Sequence, residues 1–268
     1  MPDNKVMTPE RGAELFERFI VSSHEGDFDK AYYLSHRMRF EKTLTVIPPS
    51  DEAGHAIELG ATNFFQILLK LYYQYAAVSG TQFSSHIEDK RRTKTFKLDD
   101  FETANTLVSI DLESEFLPFS TGSTDLVLCC ELIEHLDVDP MFMLAEINRV
   151  LKDNAYLVIT TPNCCSARNF WKIAHGYRPH FFMQYEKSRS PYRHNIEYDV
   201  PTLVSLVSAA GFEVEQVDTV DVFEPPVPEA IEFLRMHGLA TTHRGDCIFL
   251  RSRKVGPLRD RWPLGIYV

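Results

Sequence analysis

The chain has 268 residues, with 28 Lys and Arg against 38 Asp and Glu, a net charge of −10. Its 44% apolar and 25% charged residues are an ordinary globular composition, which excludes intrinsic disorder and collagen-like structure. A chain this long buries roughly three quarters of its unfolded surface, so its core needs neither disulfides nor metal. No apolar run approaches the ~20 residues that span a bilayer. The N-terminal MPDNKVMTPERGAELF lacks an apolar signal core and a small-residue cleavage site, so a cytoplasmic location is expected. Four of the five cysteines form adjacent pairs, Cys129-Cys130 and Cys164-Cys165, and Cys247 stands alone. That pattern suits no disulfide framework, and without a C-x-x-C no structural zinc site is expected. The acidic balance argues against a nucleic-acid partner.

In chain order, residues 9–43 predict amphipathic helix, with Leu15, Phe19 and the Ala31-Tyr32-Tyr33-Leu34 cluster on apolar faces. Pro48-Pro49-Ser50 ends that region, which gives a helical N-terminal extension over 1–48 and a second unit over 49–268. His55 to Leu59 predicts a strand, followed by Gly60 and a helical run from Phe64 to Tyr75. Ala76 to Val78, Leu107 to Ile110 and Asp125 to Cys130 are further strands. A helix follows over 140–151, with Leu144, Ile147 and Leu151 on one face, then a strand from Ala155 to Thr160. Residues 200–211 predict a helix with Pro201 in its first turn and Gly211 as a left-handed C-terminal residue. Phe212 to Val222 and Asp246 to Leu250 complete the strands. Strands alternating with helices imply an α/β fold with a parallel sheet covered on both faces.

Three stretches carry chemistry. In Ile57-Glu58-Leu59-Gly60-Ala61-Thr62 a glycine between strand and helix lets the backbone approach a ligand at a helix N-terminus, although such a turn is often plain architecture. The stretch from Ile110 to Asn163 places Asp111 and Glu131 beyond the ends of neighbouring strands, the edge where open α/β sheets bind ligands. Taken singly, either acid is better read as serving a turn. Residues 164–195 hold Arg168, Lys172, Arg178, Lys187, Arg189 and Arg193 against a single acid, Glu186. Phe170, Trp171, Tyr177, Tyr185 and Tyr192 are interleaved with them. Guanidinium groups suit phosphate or carboxylate and aromatic faces suit sugar rings or bases, while a solvated lid or oligomer contact is the alternative.

The motifs Ile110-Asp111-Leu112, Leu117-Pro118-Phe119, Glu134-His135-Leu136 and Arg149-Val150-Leu151-Lys152 occur in that order. Together they resemble class I S-adenosylmethionine-dependent methyltransferases over residues of about 53 to 254. The resemblance implies a doubly wound, seven-stranded, mostly parallel, Rossmann-like sheet and S-adenosylmethionine as cofactor. It assigns Glu58, Gly60, Thr62, Gln82, Asp111, Leu112 and Cys130 to the donor site, with Asp111 accepting from the adenine amino group. Residues 164–195 would cover the substrate side, with Arg178, Tyr185, Arg189 and Arg193 as acceptor-binding residues. Glu58 to Thr62 and Arg193-His194-Asn195-Ile196-Glu197-Tyr198 also resemble a subgroup associated with surface-polysaccharide and glycan synthesis. The acceptor is then expected to be a sugar or other anionic glycan-related molecule, methylated on oxygen.

The sequence departs from that family at three places, of which Lys152-Asp153-Asn154-Ala155, in place of the usual K-P-G-G turn, has only structural consequences and the other two bear on the donor site. Its glycine loop, usually E-x-G-x-G-x-G, keeps only Gly60, with Thr62 and Phe64 at the later positions. A positive φ there would cost about 1–2 kcal/mol. Gln82 stands where an acid normally binds the ribose hydroxyls, a change expected to weaken donor binding about tenfold. These departures support an alternative, a methyltransferase-fold protein with impaired catalysis and a binding or regulatory role. A nicotinamide oxidoreductase would need G-x-G-x-x-G, which is absent. If the acceptor has a proton to lose, His135, His175, His180 and His194 are the candidate bases. No cluster shows metal-ligand spacing, so no metal is expected.

Overall fold

A computed structural model describes residues 7–22, 26–50, 54–83, 90–179 and 193–267. Among these, eight α-helices accompany an eight-stranded sheet. The strands are β1 (His55–Leu59), β2 (Ala77–Gln82), β3 (Arg91–Leu98), β4 (Phe101–Ser109), β5 (Thr124–Cys130), β6 (Leu151–Pro162), β7 (Phe212–Val220) and β8 (Cys247–Lys254). The helices are α1 (Pro9–Ser22), α2 (Asp27–Ser35), α3 (Arg37–Val46), α4 (Asn63–Leu71), α5 (Pro140–Val150), α6 (Ala167–Ala174), α7 (Val200–Ala209) and α8 (Pro228–Met236).

The sheet order is β3-β4-β2-β1-β5-β6-β8-β7. Its centre, β4-β2-β1-β5-β6, is parallel, and β8 is antiparallel to both β6 and β7. The strand Asp246 to Leu250 is therefore inserted beside the strand from Phe212, as expected. The expected count of seven is corrected to eight by β3, which pairs antiparallel with β4 along the free edge. Only Phe96 and Leu98 of β3 are buried, and its other positions carry Arg, Lys and Thr. An edge strand of that composition blocks further pairing and hides its own apolar pattern.

Side chains alternate between the faces of each strand. Ala56, Leu126, Leu128 and Val158 meet α1, α3 and α4 in one apolar cluster. Ile57, Val127, Cys129 and Ile159 meet α5 and α7 in the other. The N-terminal helices are built into the first cluster: Phe16, Phe19 and Phe40 each meet Phe64 of α4 edge to face, with ring centres 5.1–5.6 Å apart. The turns that carry the sequence motifs have structural duties. Glu146 and Arg149 of α5 bind the backbone of Leu117 and Phe119. Asn154 takes the left-handed position of the turn inside β6 at φ +65°, where asparagine is tolerated. Gly211 is left-handed at φ +92°, as expected for the end of α7.

The candidate active site

Chain β1–β2 runs to one side of the sheet and β5–β6 to the other, so β1 and β5 flank the crevice where open α/β sheets bind ligands. Gly60 leaves β1 at φ +69°, and its N–H donates to Thr81 Oγ1 at 3.2 Å. Glu58 is fully buried beneath the turn. Its carboxylate accepts from Thr62 N and Thr62 Oγ1, both at 2.8 Å, and from Gln66 Nε2 at 2.9 Å. Burial nevertheless pushes its pKa up to about 7, the three donors only partly offsetting the loss of water. Thr62 lies at φ −103° and caps α4 by accepting from Phe65 N, while Phe64 is already helical. Neither needs a glycine, so the strain anticipated from the eroded loop is not incurred.

Gly80 supplies a close backbone approach of its own. It sits in β2 under the turn, where a β-carbon would stand 2.5 Å from Ala61 Cβ and 2.8 Å from Leu107 Cδ2. Ala61 N donates to Thr81 O at 2.8 Å, which lays the turn flat on β2. At the next strand ends, Ile110 N donates to Gln82 O, and the Gln82 side-chain oxygen accepts from Arg92 Nη2 at 3.0 Å. Asp111 is half-buried at the same edge. Its oxygens accept from Glu113 N at 3.0 Å and Ser114 Oγ at 2.8 Å, so it holds its own turn as well as facing the edge. Leu112 is half-buried against the α5–α7 cluster. The Cys130 thiol, at the end of β5, is pushed well up by burial and then by the charge of Glu58.

Beyond β5 the chain turns sharply at Glu131, a non-glycine residue at φ +49°. Its Oε1 accepts from Thr160 Oγ1 at 2.8 Å. Ile133–His135 then forms one 3-10 turn. Glu134 is completely buried; Thr161 Oγ1 donates to its Oε2 at 2.9 Å, whereas Oε1 has no hydrogen-bond partner among the described residues. Burial and then the charge of Glu131 hold the Glu134 carboxyl well above its ordinary pKa. Residues 193–195 are pinned onto this turn. Asn195 N donates to Glu134 O at 2.8 Å and Asn195 Nδ2 to His135 O at 2.8 Å. His135 Nδ1 meets Arg193 O at 3.1 Å. The His135 and His194 rings therefore lie 4.9 Å apart, edge to face.

A family described as a methyltransferase domain matches residues 34–217. The chain belongs to that family. S-adenosylmethionine is its cofactor. No curated protein matches the chain significantly. Solved structures similar to this methyltransferase include the protein bound to the Trm112 methyltransferase activator of Haloferax volcanii, at 15% identity and TM-score 0.54, over 90% of this chain and 98% of that one. An S-adenosylmethionine-dependent methyltransferase of Archaeoglobus fulgidus gives 15% and 0.54 over 85% and 100%. One from Thermotoga maritima gives 20% and 0.51 over 91% and 99%. At these identities the likeness shows the fold.

The methyltransferase fits its cofactor on two observations. A β-carbon at Gly60 would lie 3.1 Å from Leu132 and one at Gly80 would meet Ala61, so backbone fills the space that side chains would otherwise occupy. Second, Arg39 of α3 is 3% exposed, and its Nε has no partner among the described residues. Its Nη2 donates to Tyr32 OH at 2.9 Å, its guanidinium lies 4.5 Å from the Phe40 ring centre, and its charge acts on Glu58, Cys130 and Glu131. Sequence reasoning missed Arg39 and Gly80, because only the fold brings the extension and the middle of β2 to the turn. Of the basic aromatic stretch, α6 emerges as a helix capped by Ser166. His175 caps its C-terminus through Trp171 O and packs on the Trp171 ring, contacts that do not join it to His135. Arg178 and Arg193 are exposed. His180, Tyr185 and Arg189 lie outside the described residues.

Proposed function

We propose that this chain is an S-adenosylmethionine-dependent methyltransferase that acts on a hydroxyl of a sugar or other anionic, glycan-related acceptor. The observation that carries this reading is the gathering of Glu134 and His135, on the loop leaving β5, with His194, on the 193–195 segment pinned to that loop, next to the strand that ends in the Gly60 turn. Residues 49–268 form the catalytic unit in this proposal, with residues 1–48 as an extension and 164–195 as the substrate-side insert. The backbone of Gly60 to Thr62, supported by Glu58, holds the donor together with Gln82, Asp111, Leu112 and Cys130. Arg39 meets its carboxylate, since a buried guanidinium with an unpaired N–H gains most from an anion. Arg178, Tyr185, Arg189 and Arg193 supply positive and aromatic surface for the acceptor.

The bound cofactor supplies a sulfonium methyl with a good leaving group, so the chain's main task is alignment, which is worth roughly 7–11 kcal/mol. A hydroxyl also has a proton to lose as its lone pair forms the new bond to carbon. The Nδ1 of His135 faces a carbonyl, which can only accept, so that nitrogen carries the proton and Nε2 the lone pair. Burial lowers the His135 pKa, which keeps the ring neutral and able to take part in removing the acceptor's proton.

The test is calorimetric titration with S-adenosylmethionine and S-adenosylhomocysteine, followed by transfer of labelled methyl to uronic acids, sugar phosphates and, as controls, amines. Micromolar donor binding and label on an anionic sugar are expected. No binding up to millimolar donor would overturn the enzyme reading. It would favour the regulatory alternative, which Gln82 in place of an acid supports. Label on amines alone would overturn the acceptor class.

A further inference from the structure

The same three side chains at the turn after β5 suit more than removal of a proton. Glu134, His135 and His194 bring one ligand atom each within 4.8 Å of one another. Glu134 Oε1 lies 3.9 Å from His135 Nε2. Ligand atoms around one zinc ion at about 2.1 Å are roughly 3.4 Å apart in a tetrahedron, so the set needs to close by little more than an ångström. Both imidazoles are oriented from behind: Arg193 O binds Nδ1 of His135 at 3.1 Å, and Glu197 Oε1 binds Nδ1 of His194 at 3.0 Å. A carbonyl or carboxylate on Nδ1 puts the lone pair on Nε2 and fixes the ring, the arrangement found behind metal-ligating histidines.

Glu134 supplies the independent observation. Its side chain is completely buried, and its Oε1, 3.9 Å from His135 Nε2, has no hydrogen-bond partner among the described residues. A buried carboxylate oxygen left unpaired is costly, and a dication is the partner that relieves it best. We infer that Glu134, His135 and His194 form a binding site for one divalent cation of the zinc or manganese kind. Two imidazoles with one carboxylate suit zinc, a borderline ion, best; manganese, a harder ion, is served mainly by the carboxylate and water, and magnesium and calcium prefer oxygen alone. Three protein ligands leave a position open for water or an acceptor oxygen. Resting on the methyltransferase reading, a bound ion takes over from the free His135 ring, whose Nε2 lone pair is then on the metal: the ion acidifies and orients the acceptor hydroxyl, whose proton passes to solvent while its oxygen takes the methyl and the donor sulfur keeps the bonding pair. The other candidate cluster, Cys164, Cys165 and Asp199, is already explained in part, because Asp199 caps α7 through Thr202 N.

The experiment begins with chelator-treated full-length protein, titrated calorimetrically with Zn2+, Mn2+ and Mg2+, and with Co2+ followed by visible spectroscopy. One equivalent of Zn2+ or Mn2+ should bind at micromolar or tighter affinity. His194→Gln and Glu134→Gln should each weaken binding at least tenfold. Circular dichroism and S-adenosylhomocysteine affinity are measured on each variant, and both should match the parent in His194→Gln. Absence of stoichiometric binding would overturn the site. So would a thiolate-to-cobalt charge-transfer band with binding unchanged in His194→Gln, since the cysteine pair would then be the ligand. Stoichiometric metal binding without any donor binding would leave the site standing and overturn the methyltransferase reading instead.

Discussion

Gly80 of β2 lies directly under Ala61 of the turn after β1, so close that a β-carbon at position 80 would stand 2.5 Å from the Ala61 β-carbon. Nothing in the backbone of Gly80 demands glycine, because its φ is not positive. The requirement comes from the close approach alone. Gly80→Ala should therefore lift the turn away from β2, with overpacking that costs roughly 1–3 kcal/mol and donor affinity reduced at least tenfold. Ala61→Gly in the same chain removes the nearest clash, leaving Leu107 Cδ2 and Gln66 Nε2, both ends of side chains that can shift. Thermal melts and S-adenosylhomocysteine titrations of the two single variants and the double variant check this: the double should recover most of both losses. Additive losses would show that the two positions are not coupled.

Arg39 offers a second test, because it is the buried cation that the N-terminal helices carry to the turn after β5. Arg39→Ala should raise the dissociation constant for S-adenosylhomocysteine by about 10–100-fold, the worth of a charge-assisted hydrogen bond of roughly 1.5–3 kcal/mol. Affinity for 5′-methylthioadenosine, which lacks the amino-acid carboxylate, should hardly change. Equal losses for both ligands would show that Arg39 supports the site through packing on Phe40 and Tyr32 rather than through the anion.

Gln82 stands where the resemblance leads one to expect an acid. The side-chain oxygen accepts from Arg92 Nη2 at 3.0 Å, so the strand that the sequence hid, β3, supplies the positive charge beside it. Gln82→Glu would keep that partner as an ion pair and add a charged acceptor at the sheet edge. Donor affinity should rise about tenfold, with little change in melting temperature. Unchanged affinity would remove Gln82 from the donor site.

Much of this architecture was legible because buried parallel strands read as short apolar runs: β1, β5 and the centre of β6 follow from sequence alone. β3 was not, since six of its eight positions face water and carry charge or hydroxyl groups. Nor were α6 and α8, short helices whose packing on one another gives each its apolar face only in the folded chain. In the candidate site, Glu58, Gly60 and Asp111 could be singled out because each stands at a strand end, and His135 because it follows β5 within one short turn. The pairing of His135 with His194 was not, because it depends on hydrogen bonds between segments 58 positions apart. Spacing rules for metal ligands read only neighbours in sequence, and Glu134 reveals itself only through an oxygen left unpaired after folding.

The buried carboxyl of Glu58 gives the clearest dependence on pH. Its pKa is about 7 in the folded chain against an ordinary 4.5, so the folded state keeps a proton that the unfolded chain releases between those values. The unfolded state then binds fewer protons than the folded one, and stability falls as pH rises across that window. The group's contribution is most favourable below pH 4.5 and is lost by pH 7 and above, a change of about 3 kcal/mol. Asp246, raised by burial to about 6 although it accepts from the N–H groups of Val222, Phe223 and Glu224, slopes the same way at lower pH. Comparing urea unfolding of the parent and Glu58→Gln from pH 5 to 8 isolates Glu58, because every other titrating group is shared. The variant should show a markedly flatter profile between pH 5 and 7.5. Parallel profiles would mean that the donors from Thr62 and Gln66 keep Glu58 ionised, with the turn after β1 resting on a buried negative charge.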